Sequence, residues 1–236
     1  MNFIKRNFAH YSIVFISLLT LSKVNATQTI LAAESQTTNI NQVSIQSEFQ
    51  QGMDYWVINS TIEDNINDLN KLKVIADIEL FYWFGCEPCK KVEQVLTNYK
   101  QQNPDLIIRY TPLVAHSDWR QQAYIQPLLE QLVELENLPD RQKIYESCLI
   151  EDCATLASFD LINQWLLKYL QLEQLPPIDT AKIWQAEKEY RKRADSFSIS
   201  QVPTIIIREN YAVDANSAKS LHRLMAIVDF LLQETR

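Results

Sequence analysis

The sequence predicts an α/β fold in which a strand–helix–strand unit and a strand–strand–helix unit are separated by a block of helices. Residues 74–84 (VIADIELFYWF) form a β-branched and aromatic run, followed by apolar residues at helical spacing and by a second strand run at 106–111. Two further strand runs, 203–208 and 211–213, flank Glu209-Asn210, and so short a connection predicts an antiparallel hairpin. A strongly periodic helix pattern follows the hairpin, and helical patterns fill the interval between the two halves.

The remaining elements follow from local signals. Residues 55–58 are a short strand candidate ahead of the long one. In the helical block, Ser117 is a candidate N-cap, and Pro127 is expected to kink the first helix or split it in two. Asp179 is a candidate N-cap of the last helix in the block. The charge run at its far end, 187–193 (EKEYRKR), is expected to be a solvated face.

The composition excludes several classes of function. The 236 residues include 22 Lys and Arg against 29 Asp and Glu, which gives a formal net charge of −7. This acidic balance argues against nucleic acid as a partner. The two glycines, Gly52 and Gly85, are too far apart for a Gly-rich phosphate loop, so nucleotide-driven chemistry is not expected.

Residues 1–26 have the pattern of a cleavable secretory signal peptide. A basic region with Lys5 and Arg6 precedes a mostly apolar core at 11–21, and small residues near its end place cleavage after Ala26. A retained anchor is the alternative, but the apolar core is shorter than the ~20 residues that a membrane-spanning helix needs. The sequence therefore predicts an exported protein.

Export places the four cysteines in an oxidising compartment, where disulfides form and persist. Four cysteines allow three pairings, and the spacing favours Cys86 with Cys89 and Cys148 with Cys153. Residues five apart in one continuous helix lie too far from each other for a disulfide. A break near Glu151-Asp152, with Asp152 capping the next helix, would let the second pair join. We expect a structural disulfide there, and a second redox-active pair is the alternative.

The first pair lies where the long strand meets the following helix. Backbone N–H groups and the positive end of the helix dipole favour a thiolate at this point, so Cys86 is the expected nucleophile. Cys89, one turn into the helix, is expected to be shielded and to resolve a mixed disulfide. Pro88 suits an early helical position, where a missing N–H is harmless. The alternatives are a zinc site that uses all four cysteines and an inert disulfide.

A second feature is Val202-Pro203, at the start of a strand. Proline is tolerated at the first residue of a strand for purely structural reasons. In a thiol–disulfide site, a cis peptide before Pro203 would also place the backbone of Val202 beside the sulfurs. There it could pair with an extended substrate chain.

Taken together, these features resemble the DsbA family of periplasmic thiol:disulfide interchange proteins, which have a thioredoxin fold. The features are the signal peptide, the aromatic strand, Phe84-Gly85-Cys86-x-x-Cys89, the long helical insertion, and the Val202-Pro203-Thr204 strand with its hairpin and helix. We therefore expect a thioredoxin-like domain at 51–112 and 197–236, interrupted by an all-helical insertion at 113–196. Residues 27–50, rich in Gln, Asn, Ser and Thr, are expected to be a flexible polar leader.

The resemblance implies that Cys86 is the reactive cysteine, Cys89 its partner, and Pro203 a cis-proline preceded by Val202. It implies donation of the disulfide to unfolded or extended exported polypeptides, and reoxidation by a membrane quinone reductase of the DsbB type. The protein is expected to be a monomer, without nucleic acid or metal. No cofactor is expected, because the dithiol itself carries the two electrons.

Two departures from the family pattern bear on the strength of this activity. Strongly oxidising members have Pro-His between the cysteines, whereas this chain has Glu87-Pro88. The negative charge of Glu87 opposes a thiolate and is expected to lower the reduction potential, partly offset by Lys90 and Lys91. Many members also have a buried acid six residues before the first cysteine. That position is Leu80 here, and Glu79, one residue earlier, is expected to face the other side of the strand.

Two other functions remain open from the sequence. A reductase or isomerase of lower potential would use the same residues, although the polar leader is too short to form the N-terminal dimerisation domain of a DsbC-type isomerase. A non-catalytic peptide-binding or assembly factor would keep the fold with an inert disulfide, and its function would survive the loss of Cys86.

Overall fold

The computed structural model describes residues 49–58, 75–150 and 152–235. The predicted signal peptide, the predicted leader up to residue 48, and Glu151 lie outside these ranges. Phe49 is 3% exposed, and its ring lies 5.6 Å from that of Phe230. Phe49 therefore belongs to the folded part of the chain.

A five-stranded mixed sheet forms the centre of the fold. Its strands are β1 (Trp56–Val57), β2 (Ile78–Tyr82), β3 (Ile108–Pro112), β4 (Thr204–Ile207) and β5 (Tyr211–Asp214), arranged in the order β1-β5-β4-β2-β3. Strands β2 and β3 are parallel, and helix α1 (Glu87–Gln102) connects them, as the strand–helix–strand pattern predicts. Strand β4 is antiparallel to β2 and β5, and helix α7 (Leu221–Glu234) closes the second unit. The predicted fold class is confirmed, although β1, β2 and β4 are shorter than the runs that contain them, and β3 and β5 each end one residue beyond theirs.

Strand β2 is buried along its whole length, because both of its faces are covered. Leu80 packs in the same core cluster as Cys89 of α1, whereas Phe81 packs in a second cluster with Ala194 and Phe197 on the other face. Two covered faces explain why the sequence of this strand is a nearly continuous apolar run rather than an alternating one.

The chain between β3 and β4 is helical, as predicted. Its helices are α2 (Arg120–Ala123), α3 (Ile125–Gln131), α4 (Arg141–Ile150), α5 (Phe159–Leu170) and α6 (Thr180–Ser196), with short 3₁₀ turns at Ser117–Trp119 and Ala154–Leu156. Helix α2 ends four residues before Pro127, where the proline ring would clash with the carbonyl of a continuing helix. The predicted split is therefore confirmed.

The two predicted N-caps have different outcomes. Asp179 caps α6, and its carboxylate accepts hydrogen bonds from the backbone N–H groups of Ala181 and Lys182, as expected. The prediction for Ser117 is wrong. His116 is the residue that precedes the 3₁₀ turn, and no side chain caps it.

The charge run on α6 is only partly solvated, which corrects the expectation from the sequence. Glu187 is 2% exposed and pairs with Arg191 on its own helix and with Arg120 on α2. Arg193, 13% exposed at its side chain, reaches across to the sheet. The helix therefore packs a charged face against other parts of the protein.

Arg193 meets a carboxylate buried in the middle of the sheet. Glu79 of β2 is 1% exposed, and Nε of Arg193 lies 2.7 and 2.8 Å from its two carboxylate oxygens. Thr111 of β3 donates a further hydrogen bond of 2.5 Å to Glu79. Although burial opposes the charge of Arg193, its hydrogen bonds to Glu79 and Glu209 hold its pKa above the usual value. The pair thus satisfies a charge that burial alone would make costly.

The hairpin between β4 and β5 depends on the same arginine. Arg208 and Glu209 both have left-handed backbones, with φ of 44° and 61°, at positions where hairpins usually place Asn or Gly. Their side chains are anchored, because Arg208 lies 2.8 Å from Asp77 and Glu209 lies 2.7 Å from Arg193. These ion pairs therefore stabilise a turn whose positive φ values Arg208 and Glu209 would otherwise disfavour.

A disulfide joins Cys148 and Cys153 at the end of α4. Asp152 and Cys153 have left-handed φ values of 47° and 58°, which turn the chain back on itself after the helix. Asp152 does not cap the next segment as expected, because Cys153 precedes the 3₁₀ turn and no side chain bonds to it. The two cysteines are 0% and 5% exposed, so this disulfide lies in the core.

The buried ion pair gives the first prediction. Replacing Arg193 with Leu leaves Glu79 buried without its bidentate partner, and we expect a loss of about 3–5 kcal/mol in the free energy of unfolding. Urea denaturation at pH 7 measures it. Lys192→Leu, on the exposed side of the same helix, is the matched control and should change stability by less than ~0.5 kcal/mol. Equal effects of the two substitutions would contradict the role assigned to Arg193.

Candidate redox site

The site begins at the N-terminus of α1. Cys86 is the N-cap residue, and its Sγ accepts a hydrogen bond of 3.1 Å from the backbone N–H of Cys89. The two cysteines form a disulfide, with their Cα atoms 5.2 Å apart. Cys89 is 0% exposed, whereas Cys86 is half-buried. An incoming thiolate can therefore approach the sulfur of Cys86 but not that of Cys89. Pro88 lies in the first turn, where its missing N–H leaves no bond unmade.

An aromatic stack lies beside the disulfide. The indole of Trp83 stacks on that of Trp119 with ring centroids 4.5 Å apart, and its Nε1 donates to Gln122 at 3.1 Å. The ring also lies over Gly85, where an added Cβ would collide with it. No sequence pattern predicted this contact, which joins the redox motif to the start of the helical block. The sequence did contain a feature that could have predicted it: Gly85, between the aromatic run and Cys86, leaves room for an aromatic ring.

Pro203 lies across a groove from Pro88, and both residues line it. The Val202–Pro203 peptide bond is cis. Pro203 is buried and Val202 is half-buried, and the carbonyl of Val202 lies 3.4 Å from Nδ2 of Asn216. The structure thus brings Cys86, Cys89, Pro88 and the Val202–Pro203 segment to one end of the sheet.

The charges at the mouth of the site are paired. Glu87 is more than half exposed, and its carboxylate lies 3.4 Å from Nζ of Lys91, one turn along α1. Lys90 lies 3.7 Å from Glu146 of α4. Such exposed pairs contribute about 0–1 kcal/mol each, so Lys91 offsets only part of the charge of Glu87.

A second arginine, only 20% exposed at its side chain, lies beneath the site. Arg141 of α4 makes a bidentate pair with Glu93 of α1, one contact being 2.8 Å, and also donates to the hydroxyl of Tyr82 at 3.2 Å. Its guanidinium lies 4.2 Å from the centre of the Tyr82 ring. Burial raises the pKa of Tyr82 to about 12, so its hydroxyl stays protonated. This cluster connects the helical block to α1, the helix that begins at the two cysteines. No sequence pattern predicted it.

Glu79 lies on the face of β2 away from Cys89, as expected. The register of β2 against β4 runs without interruption from Ile78 to Phe81, so no bulge turns the side chain round. Leu80 occupies the face towards α1. Glu79 therefore cannot exchange a proton directly with Cys89.

The comparisons with known proteins bear on the fold. No protein-family model matches the sequence, and no curated protein matches it. Solved structures do match: DsbA from Pseudomonas aeruginosa is 16% identical, with a TM-score of 0.59 over 80% of this chain and 95% of that one. The oxidoreductase NmDsbA1 from Neisseria meningitidis is 15% identical, with a TM-score of 0.54 over 79% and 95%. The chain has the DsbA fold.

The shared fold accounts for the position of the cysteines at the end of the sheet. At sequence identities this low, however, structural similarity shows a shared fold and not a shared activity. DsbA disulfide interchange protein from Klebsiella pneumoniae gives the same result, at 12% identity and a TM-score of 0.54 over 78% of this chain and 98% of that one. Among the described helices, none is both long and apolar enough to cross a membrane. The described residues also contain no cluster of three His, Cys, Asp or Glu side chains suited to a metal ion.

Gly85 gives a prediction about the aromatic stack. Gly85→Ala places a methyl group against the Trp83 indole, which Trp119 and Gln122 hold in place, and we expect a loss of about 1–3 kcal/mol in stability. In a Trp83→Ala background the same change should cost less than ~0.5 kcal/mol, because the ring is gone. Thermal denaturation of the four proteins measures this cycle. An equal cost in both backgrounds would show that the ring does not require the glycine.

Glu87 gives a prediction about redox tuning. Glu87→Gln removes a negative charge near the thiolate of the reduced protein, so the reduced form is stabilised and the reduction potential rises. Exposed charges interact by about 0.2–1 kcal/mol, which corresponds to a rise of about 5–20 mV in a two-electron couple. Glutathione equilibration measures it. Glu189→Gln, on α6, is the control and should leave the potential unchanged, whereas a fall with Glu87→Gln would contradict the assigned role.

Proposed function

We propose that this protein is a thiol:disulfide oxidoreductase that donates the Cys86–Cys89 disulfide to extended polypeptides. The observation that carries the proposal is a disulfide between a half-buried and a fully buried cysteine at a helix N-terminus, near Pro203. This asymmetry suits directed exchange, whereas an inert disulfide has no need of an accessible sulfur.

The reaction follows from this asymmetry. A substrate thiolate attacks Sγ of Cys86, the Cys86–Cys89 bond breaks, and Cys89 leaves as a thiolate. A second substrate thiolate attacks the substrate sulfur of the mixed disulfide, and Cys86 leaves as a thiolate. The substrate loses two electrons and gains a disulfide, while the protein gains two electrons. The N–H of Cys89 and the dipole of α1 stabilise the thiolate of Cys86, which lowers the energy of the reduced product.

Val202 and Pro203 position the substrate in this proposal. An extended chain laid beside Cys86 would pair with the backbone of Val202, as in recognition by strand addition. Asn216 lies close enough to the carbonyl of Val202 to help hold this segment in place.

The finer function that we propose is that of a DsbA-type oxidase, active in the periplasm as a monomer after removal of residues 1–26. Its substrates would be unfolded or extended exported polypeptides, and a DsbB-type membrane quinone reductase would reoxidise it. A reductase of lower potential is a second candidate, favoured by the carboxylate of Glu87 between the two cysteines. Cys148–Cys153, buried in the core, is proposed to be structural.

The reduction potential separates the oxidase from the reductase. We would measure it by glutathione equilibration in a Cys148→Ser/Cys153→Ser variant, so that only one disulfide titrates. A value of about −120 mV, which is typical of strong oxidants, supports the oxidase. A value of about −270 mV, which is typical of thioredoxin, supports the reductase.

Two cysteine variants test whether the site is catalytic at all. Cys86→Ser should abolish oxidation of a dithiol peptide, because the accessible sulfur is lost. Cys89→Ser, incubated with the same peptide in its disulfide form, should instead accumulate a mixed disulfide, because the thiolate of Cys86 attacks the peptide disulfide, one peptide thiolate leaves, and Cys89 is no longer there to resolve the product. Non-reducing gel electrophoresis and mass spectrometry detect it. A non-catalytic binding protein would retain its function in both variants.

A further inference from the structure

A groove of about 250 Å³ runs beside the redox disulfide, between α1 and the start of α7. Its apolar lining comes from both sides of the site and comprises Pro88, Val92, Pro203, Ala215 and Leu221. Its polar lining comprises Lys91, Asn216, Lys219 and Ser220. An extended chain that reacts at Cys86 and lies along Pro203 would place its neighbouring side chains in this groove.

The two charged side chains that line the groove within the described part of the chain are both lysines. Both are exposed, although the protein as a whole carries a formal charge of −7. Lys91 lies 3.4 Å from Glu87, but both side chains are more than half exposed, so a carboxylate from a substrate can replace that partner at little cost. The acid near Lys219, Asp54, already accepts hydrogen bonds from Arg223 and from the backbone of Gln50.

We propose that Lys91 and Lys219 make this groove selective for polypeptides that carry Asp or Glu next to the reacting cysteine. The inference rests on the proposed function, because it concerns the substrates of that same disulfide. The apolar lining accepts the aliphatic part of such a side chain, and the ammonium groups of Lys91 and Lys219 attract its carboxylate. Complementary charge at an exposed site acts mainly by raising the rate of productive encounter.

The test compares two dithiol peptides that differ only in having Asp or Asn on both sides of the attacking cysteine. Acid quenching, alkylation and mass spectrometry give the rate of peptide oxidation by the full chain. At low ionic strength the protein should oxidise the Asp peptide about threefold to tenfold faster than the Asn peptide. The ratio should fall towards 1 at about 1 M salt, where exposed charges are screened.

Matched variants assign the preference to the groove. Lys91→Gln/Lys219→Gln should bring the ratio of the two rates close to 1, and the rate with the Asn peptide corrects for any change in the reactivity of the disulfide. Lys168→Gln/Lys192→Gln removes the same total charge from exposed positions on α5 and α6, and it should keep the ratio of the unmodified protein. Lys91→Glu/Lys219→Glu should oxidise the Asn peptide faster than the Asp peptide.

Each outcome decides one of the two proposals. If the unmodified protein oxidises neither peptide, the proposed function fails and the inference fails with it. If it oxidises both at the same rate, or if the preference survives in Lys91→Gln/Lys219→Gln, the selectivity is overturned and the oxidoreductase function stands.

Discussion

The ion pair between Glu79 and Arg193 is the constraint on which much of the structure depends. A carboxylate in the middle strand of a sheet covered on both faces has no water to solvate it, so it needs a charged partner. Its closest charged partner, Arg193, comes from α6, 114 residues further along the chain, and Arg109 of β3 lies 3.6 Å from the same carboxylate. The same guanidinium holds Glu209 in the hairpin, so one side chain fixes the last helix of the helical block, the central strand and the β4–β5 turn against one another.

Arg141 repeats this arrangement on the other face of the sheet. It comes from α4, pairs with Glu93 of α1, and packs over the ring of Tyr82. Breaking a largely buried pair of this kind costs far more than breaking an exposed pair such as Glu87–Lys91. These two largely buried arginines of the helical block therefore fix its position, and the stack of Trp83 on Trp119 adds a third contact next to the disulfide. The geometry around Cys86 is in this way determined by residues distant from it in sequence.

Sequence patterns predicted the parts of the fold that depend on neighbouring residues. The order of strands, the helix after Cys86 and the cap at Asp179 follow from spacing and residue type over a few positions. Arg193 could not be assigned in this way, because a charged residue at helical spacing has the same pattern whether it faces water or a buried acid. The left-handed turn at Asp152 and Cys153 was missed for a related reason, since neither residue is a glycine and the disulfide closes the turn. Glu79 was placed on the correct face because strand alternation is strict.

Lys91 has two opposing roles in the proposed reaction, and their magnitudes decide which prevails. Paired with Glu87, it screens a charge that disfavours the thiolate of Cys86. Drawn instead to a substrate carboxylate, it leaves that charge less compensated at the moment when the thiolate forms. Each of these interactions is exposed and contributes about 0–1 kcal/mol, so the loss in driving force is small. The attraction that brings the substrate to the groove draws on both Lys91 and Lys219 and acts before any bond breaks. In the proposed reaction the gain in encounter rate therefore outweighs the redox cost, and the two exposed lysines tune substrate choice without setting the direction of electron flow.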